Sequence, residues 1–309
     1  MHLVLLCATR RGYHFLQKVT KLLPNADLTV FSFQEESWEP PFLQDIREYS
    51  LSKGFQFFET RQVEKKSFSQ FWESSTIDLM FVASWRYLIP KRIYSRSRLG
   101  TFVFHDSLLP EYRGFSPTVW AIMHGQDHTG VTLFEITEGT DAGDIVDQKV
   151  VPIGPDEPIA AVIENVTQTY LALLERNLEP LSKGTAPRHP QNHQSATYTC
   201  RLFPEDHRID WTASSAAIYN LIRAVGAPYP GAYTQSGGQE MRVWEAKRVS
   251  SGRKYIGRIA GKVVEVLPGE GSIVLTGDGS ILLTQVQMKG SEIVCAADLL
   301  RRVGQTLGR

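Results

Sequence analysis

The sequence predicts an α/β protein: a mostly parallel, doubly wound sheet within residues 1–182, a linker over 183–200, and a small β-barrel domain over 201–309. Three observations carry this reading. Short β-branched and aromatic runs alternate with helical patterns through the first domain, the order that builds βαβ units. Residues 99–104 are almost wholly apolar, as a strand buried on both faces must be, and they deliver a histidine, His105, at the carboxyl end. Beyond residue 201 short alternating runs are separated by Gly-Glu-Gly and Gly-Asp-Gly turns, the pattern of a small barrel.

Taken in order, residues 2–7 read as the first strand, and Ala8 to Gly12 turn it into a helix over 13–23. No Gly-x-Gly-x-x-Gly follows that strand. The glycines that let backbone meet a pyrophosphate are missing, which argues against dinucleotide binding. Residues 27–33 form a second strand, 34–41 an acidic loop with prolines, and 42–53 a helix. A short strand over 55–59, a helix over 68–73 and a strongly buried strand over 78–84 follow, with a further strand at 129–136.

Residues 159–178 place Ile159, Val162, Ile163, Val166, Tyr170, Leu173 and Leu174 on one helical face and close the first domain. Residues 183–196, with Gly184, Pro187 and Pro190, read as an exposed linker. Its His189 and His193 stand four apart, but a proline intervenes and no third ligand is near, so no metal site is expected. In the second domain a helix is expected over 214–225, a rigid turn over 227–233, and strands over 242–246, 257–266, 272–275 and 280–286.

Composition narrows the function. Thirty-three basic residues balance thirty-three acidic ones, so no global charge draws the chain to nucleic acid or a membrane surface. Cys7, Cys200 and Cys295 are odd in number and far apart, which suggests neither a disulfide framework nor a zinc site and fits a reducing cytoplasm. The opening apolar run is too short for a signal peptide, and Arg10 and Arg11 follow it where an n-region would precede it. No stretch approaches the length of a membrane span.

His105 lies where open α/β sheets bind ligands, and its ring is placed for proton transfer. Asp141 sits in a turn between Gly139 and Gly143, where backbone can approach closely and a carboxylate can be aimed. Together they form a candidate acid/base pair. Each also has a structural reading: a capping or core histidine, and a loop-solvating aspartate. Trp85, Arg86, Tyr87, Leu88 and Ile89 leave a buried strand and either wall a flat-ligand pocket or cover the sheet edge. Ser107 suits a substrate contact or a backbone cap, and Arg113 an anionic group or solvent.

His105-x-Ser107-Leu108-Leu109-Pro110-x-Tyr112-Arg113-Gly114, then Trp120-Ala121-Ile122, Thr129-Gly130-Val131-Thr132 and Asp141-x-Gly143-Asp144-Ile145 form a specific series. On these motifs the sequence resembles the folate-dependent formyltransferase family, which includes methionyl-tRNA formyltransferases and N-formyltransferases of nucleotide-linked amino sugars. The likeness is dense over 99–150 and thinner beyond, where Asp210-Trp211 and the Arg223 to Ala232 stretch carry it. It implies a Rossmann-like first domain that moves a formyl group from 10-formyltetrahydrofolate to a primary amine without a metal, and an OB-like second domain. It also implies that residues 85–89, Gly139 and Thr140 line the folate site.

The family's chemistry adds an amine to a formyl carbonyl, which needs donors for the oxyanion and a group to take a proton from nitrogen. An Asn, His and Asp triad supplies these. Carried over by position, the His is His105 and the Asp is Asp141, but the Asn position, two residues before the His, holds Val103. Losing one oxyanion donor costs roughly 10²–10³ in rate. Three readings stay open: a formyltransferase whose oxyanion is met by His105, a backbone N–H, Ser84 or Arg86; a different transfer or a hydrolysis in the same pocket; or folate or nucleotide binding without catalysis.

Methionyl-tRNA formyltransferases of this layout carry a basic insertion after the second strand, whereas residues 34–41 here are acidic and would repel phosphates. Residues 201–309 hold 14 basic and 10 acidic residues, too mild an excess to grip tRNA. The expected acceptor is a small amine such as a nucleotide-linked amino sugar, with methionyl-tRNA as the alternative. Neither nucleic acid nor a membrane is expected as a partner, and a homodimer is left open.

Overall fold

The apolar runs of the first half form a seven-stranded sheet in the computed structural model, which describes residues 1–249 and 253–309. Its strands are β1 (His2–Cys7), β2 (Asp27–Ser32), β3 (Gln56–Glu59), β4 (Leu79–Ala83) and β5 (Thr101–His105), then, past the two-residue β6 (Arg113–Gly114), β7 (His128–Glu135) and β8 (Ile145–Pro152). They stand in the order β3-β2-β1-β4-β5-β7-β8. The pairs from β3 to β5 are parallel, and β7 runs antiparallel to β5. Helices α1 (Thr9–Leu22), α2 (Leu43–Ser52), α3 (Ser69–Ser74) and α4 (Lys91–Tyr94) alternate with these strands, and α5 (Pro117–Met123) and α6 (Ile159–Ser182) come later. The sequence-based α/β reading is met, with β7 entering antiparallel to β5.

Side chains alternate between faces along each strand, and this period decides what surrounds His105. Val4, Leu6, Phe31, Met80, Val82 and Trp72 share one core, against which Trp85, Ile89 and Val103 pack. On the other face Phe104 meets Phe15 of α1 edge-on at 5.0 Å and stacks with Tyr170 of α6 at 5.1 Å. Val103 and Phe104 therefore look to opposite sides. The same alternation sets His105 on the side of Val103 and Asp106 behind it. Helix α1 lies tight on β1 because Gly12 carries no side chain: a Cβ there would meet the Cys7 carbonyl carbon at 3.0 Å.

Two departures from the sequence reading matter for the site. Strand β8 was not expected, because its apolar residues follow no clean period and Val150 is exposed. The segment 183–196 is exposed at most positions, as expected of a linker, but it is also tied to the first unit. Ala186 and Gln191 are buried, His189 exchanges two backbone hydrogen bonds with Ile145, each 2.8 Å, and β9 (Tyr198–Thr199) pairs in parallel with β6. Its proline-rich, polar composition hides these backbone pairings, which leave no hydrophobic period to read.

The second unit groups residues 118–128, 153–163 and 201–309. Its antiparallel sheet has the order β10 (Ala232–Ser236), β11 (Gln239–Arg248), β14 (Ser280–Met288), β13 (Gly271–Leu275), β12 (Val263–Leu267), and β15 (Val294–Cys295) pairs with β14. Helices α7 (Ser215–Ala224) and α8 (Ala296–Leu299) complete it. The expected run 257–266 is a strand only over Val263–Leu267, and the expected turn 227–233 already enters β10 at Ala232. Residues 153–163 group here because α7 holds them. Arg223 donates to the carbonyls of Gly154 and Glu157 at 3.1 and 3.0 Å, and the Tyr219 hydroxyl donates to Asp156 at 2.8 Å. Among the described residues no helix is long and apolar enough to cross a membrane.

Candidate active site

His105 is the last residue of β5, paired opposite Thr132 of β7, while the β4 ladder stops at Val82 opposite Val103. The strand thus outruns its parallel neighbour, and the ring stands at the carboxyl edge of the sheet. Only 8 % of the residue is exposed. Its Nε2 lies 2.9 Å from the carbonyl oxygen of Tyr112. A carbonyl only accepts, so Nε2 carries the proton and Nδ1 is left as the nitrogen that can gain or give one.

Nδ1 faces Asp141, whose Oδ2 is 3.7 Å away. This is ion-pair range, a small displacement from a hydrogen bond, and such contacts commonly tighten when substrate binds. Asp141 Oδ2 also accepts the Gly114 backbone N–H at 2.8 Å. The carboxylate is therefore aimed from two directions. Asp141 holds a left-handed backbone, φ +46°, and Tyr112 and Ser84 do the same at +56° and +57°. Left-handed conformations are costly for side chains other than glycine's and gather at functional sites.

Behind the Asp141 loop stands Gln191, which the sequence reading placed in the linker. Its amide nitrogen donates to the carbonyls of Asp141 at 2.9 Å and Gly143 at 2.6 Å. Its oxygen accepts from Arg113 Nε at 3.1 Å and Nη2 at 2.6 Å. Arg113 further donates to the Tyr198 hydroxyl at 3.2 Å and to His193 Nδ1 at 3.0 Å, and only 2 % of it is exposed. The expectation that Arg113 meets an anionic substrate is corrected: its donors are spent on the inside of the protein, bracing the Asp141 loop through Gln191. No sequence period marks Gln191. The one usable signal was Arg113 itself, a guanidinium set inside a dense motif beside an apolar strand.

Ser107 is corrected in the same direction. Its Oγ donates to the Glu111 carbonyl at 2.6 Å and it is buried, so it closes the 107–111 turn as the capping alternative proposed. The glycine reading of the 137–144 loop gains a specific reason at Gly143. A Cβ there would lie 1.7 Å from the Glu135 carbonyl oxygen. Gly143→Ala is expected to displace the loop, costing at least a tenfold loss of turnover together with a lower melting temperature, both read on the purified protein.

Residues 85–89 sit on the His105 side of the sheet. Trp85 packs edge-on to Phe33 at 5.3 Å and Tyr87 does the same at 4.9 Å, while Leu88 is 91 % exposed. The Trp85 Nε1 is buried with no hydrogen-bond partner among the described residues. Arg86 reaches Glu39 with both terminal nitrogens, at 2.9 and 2.7 Å, so its charge is matched within the protein. Gly139 and Thr140 are exposed on the loop surface.

The acidic loop 34–41 also differs from expectation. Glu35 is buried and accepts the backbone N–H groups of Phe42 and Leu43 at the start of α2, at 3.0 and 3.4 Å, while Glu39 is bound by Arg86. A carboxylate is favoured at a helix N-terminus, which draws Glu35 inward. Glu36 faces Arg61 at 3.9 Å. These carboxylates are matched by their own partners, so the loop does not present the repulsive face that its composition suggested. Among the described residues no three His, Cys, Asp or Glu gather as metal ligands.

A parallel-sheet domain with a histidine and a facing carboxylate at its edge, followed by an antiparallel β domain, defines the class, and comparison with known proteins gives the family. The formyl transferase model matches residues 6–176 and the formyl transferase C-terminal domain model matches 201–304. A methionyl-tRNA formyltransferase from Agathobacter rectalis is 30 % identical over 260 residues, covering 83 % of this chain and 81 % of that protein. Two solved structures share the fold. An N-formyltransferase from Helicobacter canadensis, in complex with folinic acid and dTDP-3-aminofucose, has TM-score 0.66 at 19 % identity and covers 93 % of this chain and 98 % of its own. HypX from Aquifex aeolicus in complex with tetrahydrofolic acid has TM-score 0.62 at 20 % identity, covering 96 % of this chain, which spans only 46 % of HypX. The chain belongs to the formyl transferase family and is a formyltransferase with the family's N- and C-terminal domains.

Proposed function

We propose that this protein transfers a formyl group from 10-formyltetrahydrofolate to the amine of a small molecule, with a nucleotide-linked amino sugar as the class of acceptor. The observation that carries the reading is the pairing of His105 Nδ1 with Asp141 at the edge of the sheet. Trp85, Tyr87, Leu88 and Ile89 suit a flat folate ring: aromatic and aliphatic surface, one exposed leucine, and one buried indole N–H awaiting an acceptor. When bound, the folate supplies the activated formyl group. Gly139 and Thr140 are proposed to line the same site from the loop above.

His105 then carries the proton traffic. Its Nε2–H stays on the Tyr112 carbonyl and fixes the ring, so Nδ1 is the atom that takes a proton from the attacking amine. Asp141 stabilises the imidazolium that results, which returns that proton to N10 of the folate as the N10–formyl bond breaks and tetrahydrofolate leaves. Val103 sits on the same side of β5, two residues back, and gives no donor to the oxygen that gains charge. His105, once protonated, is the donor left at that edge. Val103→Asn is expected to raise turnover by about tenfold, part of the 10²–10³ that one such donor contributes, offset by the cost of an amide against the neighbouring apolar core. Steady-state rates of the variant and the parent, in the same folate concentration series, check it.

Methionyl-tRNA is the second reading, favoured by the identity to relatives bearing that name and by the inward-turned carboxylates of loop 34–41. Against it stand the balanced charge and the lack of any Lys or Arg in residues 34–41. Mass spectrometry separates the two after incubation with 10-formyltetrahydrofolate and either dTDP-3-aminofucose or methionyl-tRNA. A formylated sugar supports the first reading. A formylated methionyl-tRNA, with the sugar untouched, replaces it with the second.

A further inference from the structure

Asp106 follows His105 and, by the alternation of the strand, lies on the opposite face of the sheet. There it meets Arg11 from the first turns of α1, whose Nη1 donates to both carboxylate oxygens at 2.8 and 2.7 Å. Arg11 Nε donates to Thr167 at 3.2 Å, and its guanidinium carbon stands 4.7 Å from the centre of the Tyr170 ring. The Tyr170 hydroxyl bonds to the Asp106 carboxylate and reaches the Phe104 carbonyl at 2.9 Å.

The backbone that follows His105 is also gripped by side chains of β7. Thr129 Oγ1 donates to the Asp106 carbonyl at 3.0 Å, and Thr132 Oγ1 donates to the Ser107 carbonyl at 2.6 Å. The carbonyls of residues 104, 106 and 107 are thus held by side chains where the β4 ladder has already ended at Val103. Burial works against the Asp106 charge, but Arg11 and Tyr170 outweigh it and hold the carboxyl below its usual range. A partly buried ion pair seldom adds net stability over apolar packing, so its worth lies in fixing geometry.

We infer that Arg11, Asp106 and Tyr170 form a positioning clamp behind the sheet, one that fixes the strand end so that the His105 ring keeps its Nε2–H on Tyr112 and its Nδ1 toward Asp141. The inference rests on the proposed role of His105 for its kinetic consequence but not for its geometric one. A displacement of about 1 Å at a reacting group can cost on the order of 100-fold in rate, so loosening the strand end should act on turnover more than on binding.

The test uses the full chain labelled with ¹⁵N-histidine, because the ring nitrogen shifts report the tautomer whether or not the protein turns over. In the parent, His105 is expected as a single Nε2–H tautomer. In Asp106→Asn and Arg11→Met a mixture of tautomers is expected, with kcat lower by about tenfold and KM for 10-formyltetrahydrofolate within about twofold. Rates are measured with both dTDP-3-aminofucose and methionyl-tRNA as amine. Arg11→Lys keeps the charge and should recover part of both signals. Should Arg11→Met fail to fold, Tyr170→Phe, which removes only the hydroxyl, takes its place. Folded variants with the parent tautomer and parent kcat would overturn the clamp while leaving the proposed function intact. Turnover surviving in His105→Ala would instead remove the proposed role of His105, and the tautomer measurement would still decide the clamp.

Discussion

His105→Ala is expected to lower formyl transfer by about 10³-fold, within the range that a positioned general acid/base contributes, while folinic acid binding stays within an order of magnitude. The separation follows from where the ring is. It stands at the end of β5, held at Nε2 by the Tyr112 carbonyl and facing Asp141 at Nδ1, and the proposed folate wall at residues 85–89 leaves a different strand. Removing the imidazole therefore empties the proton-carrying position and leaves the ring-binding surface in place. Single-turnover rates set beside equilibrium binding of folinic acid make the comparison. Equal loss of binding and rate would mean that the ring holds the ligand rather than moving protons.

The second large effect is expected at Arg113. Replacing it with alanine removes four hydrogen bonds from a buried guanidinium and strands the Gln191 oxygen that had accepted two of them. Unsatisfied buried polar groups cost roughly 1–3 kcal/mol each, so a destabilisation of about 3 kcal/mol is expected, read in denaturant or thermal unfolding. Turnover should fall as well, since Gln191 holds the Asp141 and Gly143 carbonyls. The pattern distinguishes a brace from a substrate contact. An arginine that met an anionic substrate would raise KM on removal and leave the melting transition where it was.

Arg113 also shows how far the sequence could be read. Strands β1, β2, β4 and β5 were legible because each is a short apolar run buried on both faces, and His105 followed from the end of one of them. Asp141 was legible from the flanking glycines, one of which tolerates no side chain beside the Glu135 carbonyl. The direction of Arg113 was not, since an arginine reads as solvated or substrate-facing until its partners are known. Those partners, Gln191, His193 and Tyr198, come from a stretch whose polar, proline-bearing composition imitates a linker. Loop 34–41 failed for a related reason: composition counts charges, while the fold decides which of them are matched at a helix terminus or by Arg86. Val103, which the resemblance sets at the family's amide position, packs on the His105 side of β5, where the proposed chemistry would need a donor.

The most direct test of the proposed chemistry is the release of tetrahydrofolate from 10-formyltetrahydrofolate, followed with and without an amine acceptor, for the parent protein and for His105→Ala. The account predicts release by the parent only when the amine is present, and almost none by the variant. Release by the parent without any amine, or release by His105→Ala at the parent rate, would contradict it.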